Sequence, residues 1–276
     1  MNKILVPCDF SNTAMQAFRF ACELATKSKS EIFLLHVVEM PVLPYSRFVP
    51  VQAYEKNFMK GIKEKVNKSF EGMKAKWGGK TKISLSVEAG SVSSSIQKFA
   101  SRKKIDLIVI GTHGASGFKE YMIGSNAAKV VRQSSVPVIA VKKAMKVSAI
   151  KDIIYPTTFE PASKELISSI KELQKLFNAQ LHILYVNTLT RFSTDLITGS
   201  RLDEFVKKNH FKKYTANIFN DMEEEKGIAN FSSFFKNKII VMSTHGRTGL
   251  GHLLMRSIAE DVVNHIDCPI WTYTRL

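Results

Sequence analysis

Three glycines and a serine stand at a spacing that could hold a phosphate chain. The segment GTHGASGFKEYMIGS places Gly111, Gly114 and Gly124 two and nine residues apart, and Ser125 follows directly. The apolar run DLIVIG before it is typical of a buried parallel strand, and NAAKVVRQ after it is typical of a helix. Ligands of open parallel sheets bind beyond the carboxyl ends of the strands, and a helix start offers unpaired N–H groups to phosphate. The segment therefore predicts an anion site between a strand end and a helix that Ser125 caps.

Two residues at strand ends bear on this site. At the end of a strand, Gly111 would let the backbone approach a ligand closely or adopt a positive φ. Asp9 follows the first predicted strand, KILVP, and so lies at the same edge. Its carboxylate could face the ligand or cap the helix that follows, and these roles do not exclude each other. The alternative for the glycines is that they only make turns.

The elements that must position these residues alternate along the first half of the chain. Five short aliphatic runs predict strands, and helical patterns separate them. The segment after Ser11 and Asn12 predicts a capped helix, and a later apolar stripe from Phe58 to Trp77 predicts a long amphipathic one. We expect an α/β fold of Rossmann-like type, with a five-stranded parallel sheet and right-handed crossovers.

The unit is then repeated. Residues 152–187 match the segment from Lys3 onward at a constant offset of 149, and the later segments IIVMSTHG and CPIWTYT match at an offset of 132. The second copy is therefore about 17 residues shorter, and the deletion falls between its second and fourth strands. We predict two tandem domains, 1–146 and 150–276.

Composition narrows the class of protein. Residues 1–150 hold 24 Lys/Arg against 10 Asp/Glu, a net charge of +14, whereas residues 151–276 hold 16 against 14, a net charge of +2. Such a field attracts nucleic acid, an anionic membrane or an acidic small ligand. Lysines that merely solvate helix faces are the favoured explanation, because they lie at exposed helical spacing. The three cysteines have no metal-ligand spacing and predict buried, reduced thiols. No apolar stretch is long enough to span a membrane, and we expect a cytoplasmic protein.

Both halves resemble universal stress protein domains. Gly111, Gly114, Gly124 and Ser125 reproduce the family's glycine pattern, and VPCDFS and LLHVVE resemble its first-strand and second-strand segments. The resemblance implies a non-Walker ATP site, with ATP alone or with Mg²⁺ as the cofactor. In that site the backbone around Val37 would hold the adenine. The other contacts implied by the resemblance are Pro7, Asp9 and Gly111 to the nucleoside, and Gly114, Gly124, Ser125 and Asn126 to the phosphates.

The second copy departs from this pattern. Thr158 stands where Asp9 does in the first, Ser243 replaces Gly111 and Arg256 replaces Gly124, while Gly246 and Ser257 persist. Losing a charged hydrogen bond and crowding a close backbone approach would together weaken binding by about a thousandfold. We therefore predict one nucleotide per chain, bound by the first domain. Arg256 could bind an anion of its own or be a solvated arginine.

The resemblance implies a stress-linked regulator or sensor whose state depends on ATP occupancy. No general base is evident beside the phosphates, so we expect hydrolysis to be slow at most. Two alternatives stay open, namely an ATPase or nucleotide-dependent enzyme on the same fold and an anion-binding or nucleic-acid-binding scaffold. In the family, domains associate through their last strands, which implies an intramolecular pseudo-dimer, a homodimer, or both. Membrane association is not expected, and nucleic acid is a less favoured partner than an adenine nucleotide.

Overall fold

One sheet of ten strands runs through the molecule. The computed structural model describes residues 1–39, 51–112, 124–143, 145–159, 162–243, 262 and 266–273, and for 51–58 it describes the backbone alone. The strands are β1 Lys3–Pro7, β2 Glu31–Val38, β3 Ile83–Ala89, β4 Leu107–Gly111, β5 Val138–Val141, β6 Asp152–Pro156, β7 Gln180–Asn187, β8 Tyr214–Asn220, β9 Lys238–Ser243 and β10 Ile270–Tyr273. The α-helices are α1 Asn12–Ser28, α2 Val51–Met73, α3 Val92–Lys103, α4 Ser125–Gln133, α5 Lys164–Phe177, α6 Asp195–Asn209 and α7 Glu224–Ser233.

The strand order confirms the tandem α/β architecture. It reads β3-β2-β1-β4-β5-β10-β9-β6-β7-β8, so each half contributes five strands in the same internal order. All pairs are parallel except β5 with β10, where Ile139 lies opposite Trp271. The last strands of the two halves therefore join within one chain, as the family resemblance implies.

The repeat holds at the level of register. In the first half Pro7 pairs with Leu35, and in the second half Pro156 pairs with Leu184, both at the offset of 149. Apolar side chains on the two faces of the continuous sheet form two buried layers beneath the helices. Both layers extend across the two halves.

Local sequence explains where the first helices begin and end. Ser11 caps α1, because its hydroxyl accepts a hydrogen bond from the amide of Ala14 at 3.2 Å. Ser91 occupies the equivalent position before α3. Several helices end at a non-glycine residue in the left-handed region, for example Lys29 and Asn178, which are related by the offset of 149. Among the described residues, no helix combines the length and the apolar character needed to cross a membrane.

Candidate functional site

A cleft opens where the strand order reverses, between the carboxyl ends of β1 and β4. It encloses about 700 Å³ of space, a volume that includes open solvent. Seven of the eight predicted site residues line it: Pro7, Asp9, Val37, Gly111, Gly124, Ser125 and Asn126. The eighth, Gly114, lies outside the described residues, as do Gly246, Arg256 and Ser257 of the second half.

Asp9 lies in the turn between β1 and α1. Its Oδ1 accepts a hydrogen bond from the amide of Ser11 at 3.0 Å, and the side chain is exposed at the mouth of the cleft. Because Ser11 caps α1, the alternative role of Asp9 as the helix cap is wrong. The next residue, Phe10, has a φ of 63°, a conformation that costs free energy for a bulky side chain. The turn thus aims the Asp9 carboxylate along the edge of the cleft.

The backbone of Val37 faces the cleft side of β2. The β1–β2 ladder ends at Pro7 and Leu35, while β2 continues to Val38. The carbonyl of Leu35 accepts from the amide of Cys8 at 2.9 Å on the β1 side, and the carbonyl of Val38 accepts from Gly90 on the β3 side. Alternate residues of a strand direct their N–H and C=O groups to the same side. The amide and carbonyl of Val37 therefore point past the end of β1, where a flat ring could meet both.

Gly111 has a structural role in addition to the ligand approach that its sequence position predicts. It does not adopt a positive φ. A Cβ at this position would lie 2.7 Å from the carbonyl carbon of Thr13 and 2.8 Å from the amide nitrogen of Ala14. The backbone of α1 thus crosses the end of β4 at a distance that only glycine permits. Gly111 sets how α1, and with it the Asp9 turn, approaches the sheet.

The start of α4 forms the opposite wall. Its N-cap is Gly124, with φ −60° and ψ 145°, and Ser125 is the first helical residue, so the prediction that Ser125 caps the helix is wrong. The amide of Gly124 donates to the carbonyl of Thr112 at 2.6 Å, which ties the helix start to the end of β4. Because a glycine N-cap has no side chain to satisfy the first amides, the helix start presents N–H groups and the positive end of its dipole toward the cleft.

The cleft also has an apolar wall that the sequence interpretation missed. Val92 and Ile96 of α3 line it, together with Leu35 and Ile110 from the strands. Val92 and Ile96 are four residues apart in the helix that Ser91 begins, and this helical spacing is the signal that could have identified them. Apolar residues beside polar backbone groups are what an aromatic base requires.

Cys8 lies in the cleft wall but is chemically quiet. The side chain is 5% exposed, and burial raises the pKa of the thiol to about 12, so it is protonated at neutral pH. Cys22 and Cys268 are also free and buried, which confirms the prediction for the cysteines. Within the described part of the chain, no group of three or more His, Cys, Asp or Glu side chains is placed to hold a metal ion.

The equivalent edge of the second half is built differently. Val186, the counterpart of Val37, is buried, and the amino-terminal part of α7 lies against it. A Cβ on Gly227 would come within 2.3 Å of Val186 Cγ1, so the contact exists only because residue 227 is glycine. Thr158 and Ser243 occupy the positions of Asp9 and Gly111, as predicted. Next to Thr158, Phe159 stacks on Tyr185 with ring centroids 4.8 Å apart.

Comparison with known proteins agrees with this architecture. The model of the universal stress protein family matches residues 1–142 and 221–273. A universal stress protein of Methanocaldococcus jannaschii is 31% identical over 146 residues, which cover 52% of this chain and 84% of that protein. A universal stress protein of Synechocystis is 20% identical over 293 residues and aligns with 99% of this chain and 100% of its own length.

A solved structure extends the likeness to the whole fold. The crystal structure of a universal stress protein from Archaeoglobus fulgidus superimposes with a TM-score of 0.73 and 20% identity, covering 100% of this chain and 99% of the other. At this identity the likeness concerns the fold. Taken with the family match over both halves, it shows that the chain belongs to the universal stress protein family, in its tandem form.

Proposed function

We propose that the first half of the chain binds ATP in the cleft between β1 and β4, and that the occupancy of this site makes the protein a stress-linked regulator or sensor. The proposal rests on how distant residues are brought together. Residues from β1, β2, β4 and the start of α4, far apart in sequence, line a single cleft at the point where the strand order reverses.

The parts of the cleft match the parts of an adenine nucleotide. The apolar wall and the outward-facing backbone of Val37 suit the adenine ring, and the Asp9 carboxylate can accept hydrogen bonds from ribose hydroxyls. The amides of Ser125 and Asn126 at the start of α4 suit phosphate oxygens. A Mg²⁺ ion would be held chiefly by the phosphates, as is usual for this ion.

The second half is proposed to be a structural partner that does not bind a nucleotide. Burial of the Val186 side chain against α7 supports this, because Val37, its counterpart in the first half, is only half-buried and lines the cleft. We propose residues 1–146 and 150–276 as the two domains. Three free, buried cysteines fit a reducing compartment, and we propose the cytoplasm.

The first experiment measures nucleotide content and affinity. Denaturing the purified protein and quantifying the released nucleotide is expected to yield close to one ATP per chain, and the emptied protein is expected to bind ATP again in calorimetry. One universal stress protein has been solved in complex with cAMP, so cAMP is titrated alongside ATP. The proposal would be overturned if the purified protein released no nucleotide and bound neither ATP nor cAMP when these were added.

A matched pair of variants locates the site. Asp9→Ala removes hydrogen bonds to a charged group and is expected to weaken ATP binding about ten- to a hundredfold. Thr158→Ala, at the equivalent position of the second half, is expected to leave the affinity unchanged. Asp9→Asn keeps the side-chain volume and guards against a folding defect. An equal loss of affinity in the Thr158 variant would contradict the assignment of the nucleotide to the first half.

Hydrolysis is tested separately. A single-turnover assay with labelled ATP distinguishes a binding protein from an ATPase. We expect turnover near the background rate of ATP itself, whereas rapid turnover that Asp9→Ala abolishes would favour an enzyme. Light scattering then decides between a monomeric pseudo-dimer, joined through β5 and β10, and the further homodimer that we also propose.

A further inference from the structure

An apolar patch with an acidic border lies at the carboxyl edge of the second half. Every large hydrophobic side chain that is exposed among the described residues belongs to this half. Five of them lie where β7 and β8 end: Leu189, Phe192, Leu196, Ile197 and Met222, with exposed fractions of 70%, 70%, 86%, 54% and 66%. We call these five residues the edge patch.

Hydrogen bonds hold the edge patch in place. The Asn187 side chain closes the loop after β7, because its Nδ2 donates to the carbonyl of Ser193 at 3.2 Å and its Oδ1 accepts from the Ser193 amide at 3.1 Å. Leu189 and Phe192 lie within this closed loop. The same Asn187 Nδ2 also donates to Asn220 Oδ1 at 3.0 Å, which joins the loop to the end of β8. These hydrogen bonds thus hold in place the loop that carries Leu189 and Phe192.

An ion pair connects the remaining part. Arg191 in the loop bridges to Glu224 at the start of α7 at 2.8 Å. On the α7 side, Met222 follows Asp221, whose carboxylate accepts from the Met222 amide at 2.7 Å and from Asn230 at 2.8 Å. The ion pair and the hydrogen bond from Asn187 to Asn220 therefore link the loop that carries Leu189 and Phe192 to the segment that carries Met222.

The charge around the edge patch opposes that of the rest of the protein. Residues 187–197 and 220–226 contain five carboxylates and two cations, a net charge of −3, in a chain whose net charge is +16. The carboxylates are Asp195, Asp221, Glu223, Glu224 and Glu225. An acidic border repels phosphate, so it disfavours both nucleic acid and an anionic membrane. It attracts a partner that carries lysine or arginine around apolar anchors.

A second copy of the chain is a poorer complement. Two edge patches facing each other would bring net negative charge against net negative charge. In the described part of the basic first half, no large hydrophobic side chain is exposed that could pack against the edge patch of a second copy. We propose that the edge patch is a docking surface for a basic amphipathic segment of another protein, an apolar helical stripe flanked by lysine or arginine.

The test uses a defined peptide and the full chain. The probe is a labelled synthetic helix of leucine and lysine, with leucines at i, i+3, i+4 and i+7, and the control probe replaces each lysine with glutamate. Fluorescence anisotropy is expected to show that the lysine peptide binds, that salt weakens it, and that the glutamate peptide does not bind. Equal binding of both peptides, or of neither, would overturn the proposal.

Matched variants place the binding. Phe192→Ser is expected to weaken the lysine peptide about tenfold. Phe234→Ser is the control, because Phe234 has the same 70% exposure but lies at the far end of α7. Replacing Asp195 and Glu223 by their amides is expected to reduce the salt dependence. An equal loss in the Phe234 variant would overturn the assignment, as would binding to anionic vesicles or a dimer that Phe192→Ser dissolves.

Discussion

The two carboxyl edges of the sheet start from equivalent backbones and end as different surfaces. In the first half, Val37 is half-buried beside a cleft whose helical wall is α3. In the second half, Val186 is buried under α7. The helices correspond at the offset of 132, which pairs Ser95 with Gly227.

The comparison shows how little is needed to change such an edge. Gly227 allows α7 to lie directly on Val186, whereas the Ser95 side chain occupies the same position in α3. The two halves also differ in their exposed side chains. Every exposed large hydrophobic side chain among the described residues belongs to the second half. The edge of the first half has a cleft, whereas the edge of the second half has exposed apolar side chains.

The largest effect is expected at Gly111. Gly111→Ala forces a methyl group to within 2.8 Å of the α1 backbone and is expected to lower the free energy of unfolding by about 3 kcal/mol. Ser243→Ala, at the same position in the second half, is expected to change it by less than about 1 kcal/mol. Urea denaturation followed by circular dichroism measures both. Equal losses in the two variants would mean that the helix backbone lies no closer to the strand end in the first half than in the second.

An intermediate effect is expected at Gly227. Gly227→Ala places a methyl group against Val186 and is expected to cost about 2 kcal/mol of unfolding free energy. The cost should shrink in a Val186→Ala background, because the clashing methyl groups are gone. Gly199→Ala in α6 is the control, since nothing lies within 4 Å of its added Cβ. Additive losses in the double variant would show that α7 does not depend on the valine contact.

The smallest effect is expected where the halves meet. Lys143 and Lys142 donate to Asp267 just before β10, and the hydrogen bond from Lys143 contributes most to holding the pKa of Asp267 below its ordinary value. A carboxylate with a lowered pKa stabilises the folded chain above its ordinary pKa, and this stabilisation is lost as the pH falls. Asp267→Asn is expected to cost less than about 1 kcal/mol at neutral pH, because the pair is partly exposed.

The pH dependence provides the check on that pair. In thermal melts, the difference between Asp267→Asn and the unaltered chain should close as the pH is lowered past the ordinary carboxylate range. A difference that persists in acid would show that the aspartate acts through packing at the β5–β10 junction and not through its charge.

Local patterns were sufficient for the elements, and together with the family resemblance they identified most of the cleft. The aliphatic runs became buried parallel strands, Ser11 caps α1, and the constant offsets of the repeat reappear as equal strand registers. The resemblance to universal stress protein domains assigned Pro7, Val37 and Asn126 to the cleft. Because parallel strands place their carboxyl ends at one edge, Asp9 and Gly111 could be assigned to the same edge before any coordinates. These features depend on periodicity and chain order, and both are written in the sequence.

Tertiary packing decided what the same residues are for. The sequence indicated a ligand contact or a positive φ for Gly111; its φ is not positive, and the α1 backbone lies where a side chain would be. Ser125 reads as a cap, but the backbone places Gly124 there and leaves the first amides without a capping side chain. Whether a glycine or serine meets solvent, ligand or a neighbouring helix depends on the distance between elements that are remote in sequence, and no local pattern encodes that distance.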